Sequence, residues 1–133
     1  MHVRRLADAP VEEWHRLRSH VLMDAGELGA RNISVTWIEV PAATEQELHS
    51  HEEAEQVYVV VRGSGTMSVA GDTEKVEEGD LILVSPATDH SIANDGDGEM
   101  ACVSVQSPPV SVAELYGGQM AEVSGYDDDD DLA

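Results

Sequence analysis

Two short blocks of the sequence carry the residue types that bind metal ions. His49 and His51 are one residue apart, Gln56 follows them, and His90 lies in a second block that begins at Gly79-Asp80. Successive side chains of an extended strand point to opposite faces, so His49 and His51 can aim both imidazoles at one point. Three imidazoles and one amide oxygen suit a divalent transition metal (Fe, Mn, Ni, Co or Zn) with positions left open for substrate or water. The predicted ligands are His49, His51, Gln56 and His90.

The two blocks resemble the two motifs of the cupin family. The family's first motif has two histidines, a carboxylate and a glycine, and the chain reads HSHEEAEQVYVVVRG, with Gln56 in the carboxylate's place and Gly63 as the glycine. The second motif is similar to GDLILVSPATDHSIAN, except that Ala87 stands where glycine is usual. We expect no positive φ at Ala87, because a Cβ penalises that conformation. The resemblance spans residues 31–107 and implies an all-β fold, the cupin double-stranded β-helix or jelly-roll barrel.

Glu55 is the alternative to Gln56 as the fourth ligand. Gln56 keeps the family's spacing to Gly63, whereas Glu55 points to the opposite face of the strand. A glutamine leaves a divalent site with its full 2+ charge, while a carboxylate would reduce it to 1+. The higher charge favours polarisation of a bound carbonyl, enol or carboxylate. It also means that the ligand set offers no anionic group to act as a base.

Three further polar residues are candidates for catalytic roles. If Gln56 points inward, alternation also turns Tyr58 inward, where its hydroxyl either serves a substrate or is simply a satisfied group on a buried ring. On the last strand Ser104 and Gln106 share a face with Cys102. The sequence does not decide which way this face points. The inward choice would place two polar groups beside the metal, as binding pockets usually require.

The glutamine ligand resembles one group within the cupins, the small enzymes of pectin and alginate breakdown that open unsaturated monouronates to linear keto sugars. That group carries an Asp-x-Phe-Ser-Pro-Pro-Arg-like stretch whose Asp and Arg serve the pocket. The corresponding stretch here is SVQSPPV, with Ser104, Gln106 and Val110 at the Asp, Phe and Arg positions. The arginine fork that holds a sugar carboxylate is therefore missing. The resemblance implies the same fold and metal ligands, and we expect that reaction to be absent or very slow.

The charge balance of the chain indicates its surroundings. There are 27 acidic residues against 7 basic ones, a formal net charge of −20, and Lys75 is the only lysine. Such self-repulsion destabilises a compact domain in dilute buffer, whereas in molar salt the Debye length falls to about 3 Å and the repulsion is screened. The composition predicts a halophilic protein. With no basic patch, nucleic acid and anionic membranes are not expected partners.

Length and cysteine content favour one cytoplasmic domain. The 133 residues suit a single domain, and no stretch approaches the roughly 20 apolar residues that span a bilayer. The N-terminus shows no export signal. Cys102 is the only cysteine, so an internal disulfide is excluded and a reducing compartment is expected.

The chain divides into three predicted regions: a helical arm at 1–30, the barrel at 31–107, and an extension at 108–133. A stripe of apolar residues after Pro10 predicts a helix over residues 9–22. Short β-branched runs with close turn signals predict an antiparallel barrel. The run of like charges Asp127–Asp131 predicts a disordered acidic tail. Apolar residues of the arm and of the strand near Trp37 need cover, so a homodimer is expected.

Two functional hypotheses follow from the sequence. The first is a metalloenzyme that acts on a small oxygen-rich metabolite by isomerisation, ring opening or dioxygenation. The second is a non-catalytic cupin that binds such a metabolite for sensing or sequestration. An empty barrel, retained for structure alone, is a third possibility.

Overall fold

Ten short strands build the molecule, as seen in a computed structural model that describes residues 1–14 and 16–110. The predicted acidic tail and the extension from residue 111 onward lie outside the described residues. Two three-residue 3₁₀ turns, Leu6–Asp8 and Glu27–Gly29, accompany the strands. The strands are β1 (Val11–Trp14), β2 (Leu17–Met23), β3 (Ser34–Val40), β4 (Thr44–Glu45), β5 (Glu55–Arg62), β6 (Ser64–Val69), β7 (Asp72–Glu77), β8 (Leu81–Val84), β9 (His90–Asn94) and β10 (Met100–Ser107).

The strands form two antiparallel sheets. One has six strands in the order β1-β2-β3-β10-β5-β8, and the other has four in the order β4-β9-β6-β7. Several neighbours, such as β3 and β10 or β5 and β8, are distant in sequence, as in a jelly roll, and the all-β prediction is confirmed. Alternating residues of both sheets form one core that includes Ile38, Val60, Ile92 and Met100. No helix in the described part of the chain is long and apolar enough to cross a membrane.

The predicted N-terminal helix is wrong. Within residues 9–22 the chain forms β1 and β2, which pair as a hairpin with Trp14 opposite Leu17, and the turn includes Arg16 at φ 69°. β2 then pairs with β3, so the arm extends the six-stranded sheet. Leu17, Ser19 and Val21 are all buried on β2, which is the two-residue period of a strand. The apolar residues of this segment also fit a helical period, and the helix prediction followed that pattern. Pairing with an available sheet edge outweighed a weak helical pattern.

Gly63 lies in close contact with the backbone at the start of β10. Its φ is +76°, and a Cβ added there would lie 2.6 Å from the carbonyl oxygen of Glu99 and 3.1 Å from the Cα of Met100. Both the backbone conformation and the close contact therefore require glycine. Gly63 is the one residue between β5 and β6.

Candidate metal centre

Two of the histidines are brought together by a backbone bridge. The His49 N–H donates to the His90 carbonyl at 3.0 Å, and the His90 N–H donates to the His49 carbonyl at 2.8 Å. Their imidazole centroids lie 4.2 Å apart. The bridge joins the segment before β5 to the start of β9, so two residues 41 positions apart in sequence become neighbours. The two backbone hydrogen bonds thus hold the backbones of His49 and His90 side by side.

His51 is held by the loop before β9. The backbone N–H of Ala87 donates to the His51 carbonyl at 2.7 Å. Ala87 adopts φ 58°, so the expectation of no positive φ at this position is wrong. A non-glycine residue in that region is strained, and such strain persists where surrounding structure demands it. Here the turn directs the N–H of Ala87 at the His51 backbone.

Backbone carbonyls fix the tautomers of His49 and His90. Nδ1 of His49 lies 3.0 Å from the Glu47 carbonyl oxygen, and Nδ1 of His90 lies 2.9 Å from that of Thr88. A carbonyl only accepts, so each Nδ1 carries the proton and each Nε2 presents a lone pair. Metal-binding histidines commonly use the same arrangement, in which the second nitrogen donates to a carbonyl.

The three imidazoles form one cluster. One ring nitrogen from each of His49, His51 and His90 lies within 4.8 Å of the others. The centroid of His51 is 5.3 Å from that of His49 and 5.5 Å from that of His90. Three such nitrogens, two from the loop between β4 and β5 and one from β9, are a suitable site for a transition metal.

Gln56 adds a buried oxygen that no described residue satisfies. Its side chain is 1% exposed, and its amide Nε2 donates to the Ser104 hydroxyl at 2.7 Å. In this orientation no described residue donates to Oε1. The buried Nε2 of His90 also lacks a hydrogen-bond partner among the described residues. Unsatisfied buried acceptors cost free energy, and a cation would satisfy both, so the donor set fits a metal. Glu55, the alternative ligand, is exposed.

Burial keeps His51 and His90 neutral. Desolvation, followed by the nearby His49 and His90, lowers the pKa of His51 to about 3. Desolvation and His49 lower the pKa of His90 to about 4, against opposing effects of the Thr88 carbonyl and Asp89. Both rings are therefore unprotonated at neutral pH, which is the form that binds metals.

The inward face of β10 lies beside the cluster. Cys102, Ser104 and Gln106 are all buried, so the face that the sequence left undecided points inward. The Gln106 Nε2 lies 3.5 Å from Nε2 of His51. Gln106 also pairs across the strands with Gln56, which brings the amide ligand candidate to the same end of the barrel.

Tyr58 and Cys102 lie deeper in the barrel. Tyr58 is fully buried, with its ring centroid 6.0 Å from that of His90. Burial raises the pKa of the Cys102 thiol to about 12, so this cysteine is a neutral core residue rather than a nucleophile.

Sequence reasoning missed Ser34. It is buried on β3 opposite Gln106, and its hydroxyl lies 3.2 Å from Oε1 of Gln106. The alternating pattern of β3 was visible, but the register between β3 and β10 was not. Only that register brings Ser34 to the polar end of the barrel.

Comparisons with known proteins agree with this architecture. Residues 36–106, more than half of the chain, match the cupin domain family model. The uncharacterized protein MJ1618 of Methanocaldococcus jannaschii is 32% identical over 72 residues, which are 54% of this chain and 58% of that protein. The chain thus spans less than two thirds of that curated relative.

Solved structures show the same fold at low sequence identity. A predicted oxalate decarboxylase from Thermotoga maritima superposes with a TM-score of 0.73 and 18% identity, covering 80% of this chain and 98% of that one. KdgF from Halomonas sp. gives 0.72 and 13%, covering 83% and 96%. A cupin 2 conserved barrel domain protein from Salinispora arenicola gives 0.68 and 21%, covering 80% and 87%. With the motif match, the two sheets and the histidine cluster in agreement, the chain belongs to the cupin family.

Proposed function

We propose that the protein binds one divalent transition metal through His49, His51, Gln56 and His90. The observation that carries the proposal is the pair of buried acceptors that no described residue satisfies, Oε1 of Gln56 and Nε2 of His90, at the barrel end that holds the three clustered imidazoles. Such a donor set accommodates Fe, Mn, Ni, Co or Zn.

We propose further that the protein is an enzyme of small oxygen-rich metabolites. A bound metal would supply a Lewis acid that polarises a carbonyl, enol or carboxylate. Tyr58 and Gln106 are polar groups of the same interior. The bond from Gln56 makes Ser104 a positioning residue for that amide, and its catalytic role stays a prediction.

A non-catalytic binding module is the second candidate. Among the described residues, no aspartate or glutamate is buried, so the interior offers no carboxylate to act as a general base. Isomerisation and ring opening need a proton acceptor, whereas simple capture of a metabolite does not.

Turnover distinguishes the two functions. Metal-loaded protein would be incubated with hydroxy acids, keto acids and keto sugars, and each compound would be followed by NMR. An enzyme should convert at least one class, and chelated protein should convert none. Compounds that bind and return unchanged would favour the binding module. Unsaturated monouronates are not the proposed substrate, because Ser104 and Val110 stand where the uronate enzymes carry their charged Asp and Arg.

We also propose that a second copy of the chain covers the outer face of the six-stranded sheet. Two rows of paired apolar residues cross four strands there, and we name them the apolar patch: Leu83, Val57, Val105 and Val35 in one row, and Leu81, Val59, Val103 and Trp37 in the other. Leu81 and Leu83 are 62% and 53% exposed. The patch carries no charge in a chain with 27 acidic residues, so two copies could meet there without repulsion.

Oligomeric state tests the patch. Leu83→Asp should convert a dimer into a monomer by light scattering in molar salt. Leu48→Asp is the matched control, since Leu48 is also exposed but lies outside the sheet. A wild-type monomer at micromolar concentration would contradict the proposal. The halophilic, cytoplasmic setting remains a proposal that rests on the acidic composition and the single, unpaired Cys102.

A further inference from the structure

A chain of hydrogen bonds reaches the Gln106 amide from the side opposite the histidine cluster. The backbone N–H of Val110 donates to the Ser34 hydroxyl oxygen at 3.2 Å. The Ser34 hydroxyl hydrogen is then available for Oε1 of Gln106, which lies 3.2 Å away. The Val110 N–H can only donate, so it uses one lone pair of the Ser34 oxygen and leaves the hydroxyl hydrogen to bind Gln106. The amide oxygen of Gln106 lies on the Ser34 side in this arrangement.

The amide nitrogen of Gln106 consequently points at the histidine cluster. Nε2 of Gln106 lies 3.5 Å from Nε2 of His51, at the long limit for a hydrogen bond. A primary amide nitrogen donates and does not bind metals, so Gln106 is no fifth ligand in this orientation. If His51 gives its lone pair to a metal, the N–H groups of Gln106 are left for another acceptor beside the site.

Charge balance indicates which acceptor that is. All four proposed metal ligands are neutral, and the buried polar side chains of the described residues include no aspartate, glutamate, lysine or arginine. A divalent ion would bring a 2+ charge that no buried carboxylate offsets. In a low-dielectric interior such a charge strongly favours an anion as companion. A ligand with several negative charges would need another positive group besides the metal. The described part of the chain has no buried lysine or arginine to supply one.

We propose that Gln106 is the hydrogen-bond donor for the carboxylate of a small organic monoanion that binds beside the imidazoles, and that Ser34 is the positioning residue that aims it. This inference rests on the proposed metal site and adds its ligand class. Ser104 and Ser34 play parallel parts: Ser104 accepts from Gln56 and turns its oxygen toward the site, while Ser34 donates to Gln106 and turns its nitrogen there. Two glutamines paired across β5 and β10 thus present opposite ends to one centre.

Calorimetric titration with acetate, and with acetamide as its uncharged analogue, tests the proposal. Zinc-loaded protein would be used at one fixed salt composition, after its zinc content has been measured. Wild-type protein should bind acetate at least about tenfold more tightly than acetamide, as expected for a hydrogen bond to a charged group. Gln106→Glu should lose at least tenfold in acetate affinity by the same reasoning, because a carboxylate replaces the donor.

Substitution of Ser34 separates positioning from general structural damage. Ser34→Ala should retain zinc yet bind acetate several-fold more weakly, on the order of one neutral hydrogen bond, and Ser34→Thr should restore binding because it keeps the hydroxyl. Melting curves would confirm that each variant is folded.

Each outcome of the titrations is decisive. Equal affinity for acetate and acetamide, or unchanged acetate affinity in folded Gln106→Glu, would overturn the inference and leave the metal site standing. Unchanged acetate affinity in folded Ser34→Ala would overturn the role of Ser34. Wild-type protein that retains none of zinc, iron, manganese, nickel and cobalt would overturn both the inference and the proposed function.

Discussion

Exchanging charge at two adjacent positions of β5 should reveal which side chain binds the metal. Gln56 is buried with its oxygen unsatisfied, whereas Glu55 is exposed on the opposite face. Gln56→Glu keeps the length of the side chain and adds one negative charge at the proposed site. Glu55→Gln removes one negative charge a single residue away. If Gln56 is the ligand, the first change alters metal affinity and the second does not.

The size of the effect follows from opposing electrostatic terms. A unit charge 4 Å from a dication gains about 8 kcal/mol at an effective dielectric constant of 20. Taking the carboxylate out of water costs several kcal/mol, which offsets most of that gain. We expect a net gain on the order of 1–3 kcal/mol, equivalent to roughly five- to 150-fold tighter binding. Without metal, the buried carboxyl should have a raised pKa and should lower the free energy of unfolding.

Competition with a chelator of known affinity measures both variants. Zinc affinity should rise in Gln56→Glu and stay within about twofold of wild type in Glu55→Gln, because an exposed charge is screened in molar salt. The melting temperature should show a larger zinc-induced increase in Gln56→Glu than in wild type. Loss of affinity in Glu55→Gln, with none in Gln56→Glu, would refute the assignment and make Glu55 the ligand.

Three further outcomes are expected. Gly63→Ala should lower the free energy of unfolding by at least about 2 kcal/mol more than Gly71→Ala. Both glycines have a positive φ, but only at Gly63 would the new Cβ meet backbone atoms. Denaturant titration measures both losses, and equal losses would show that the contact is unimportant. Because the pKa values of His51 and His90 are lowered in the folded protein, the unfolded chain binds more protons than the folded one below about pH 6.5. The metal-free protein should therefore lose stability as the pH falls from there towards 4. A His51→Gln/His90→Gln variant should lose less stability over the same range. Stability should rise from dilute buffer to molar KCl, because a net charge of −20 is then screened, and a flat or falling melting temperature would contradict the halophile prediction.

The barrel strands were predictable because their signals are local. β8 has the bounds that its apolar run suggests, and β3 ends before Pro41 as expected. β7 was missed, since four of its six residues are charged and only Val76 is buried. Its strand conformation comes from pairing with β6, which no local pattern reveals.

The histidine cluster was predictable for a different reason. The spacing of His49 and His51 encodes a shared direction, and the resemblance to the cupin motifs added His90. The supporting contacts could not be predicted. The positive φ of Ala87 is imposed by its hydrogen bond to His51, and Ser34 meets Gln106 only through the register of β3 and β10. Tertiary contacts of this kind leave no trace in residue spacing.

Metal content measured by mass spectrometry tests the central claim most directly. Protein purified in molar salt, loaded with zinc and passed over a desalting column should retain close to one ion per chain. His49→Ala and His90→Ala should each retain little or none, because each removes a neutral nitrogen from the three-histidine cluster. Val57→Ala, on the outer face of β5, should retain the ion as wild type does. Full retention by a folded variant that lacks both His49 and His51 would contradict the assignment of this cluster as the metal centre.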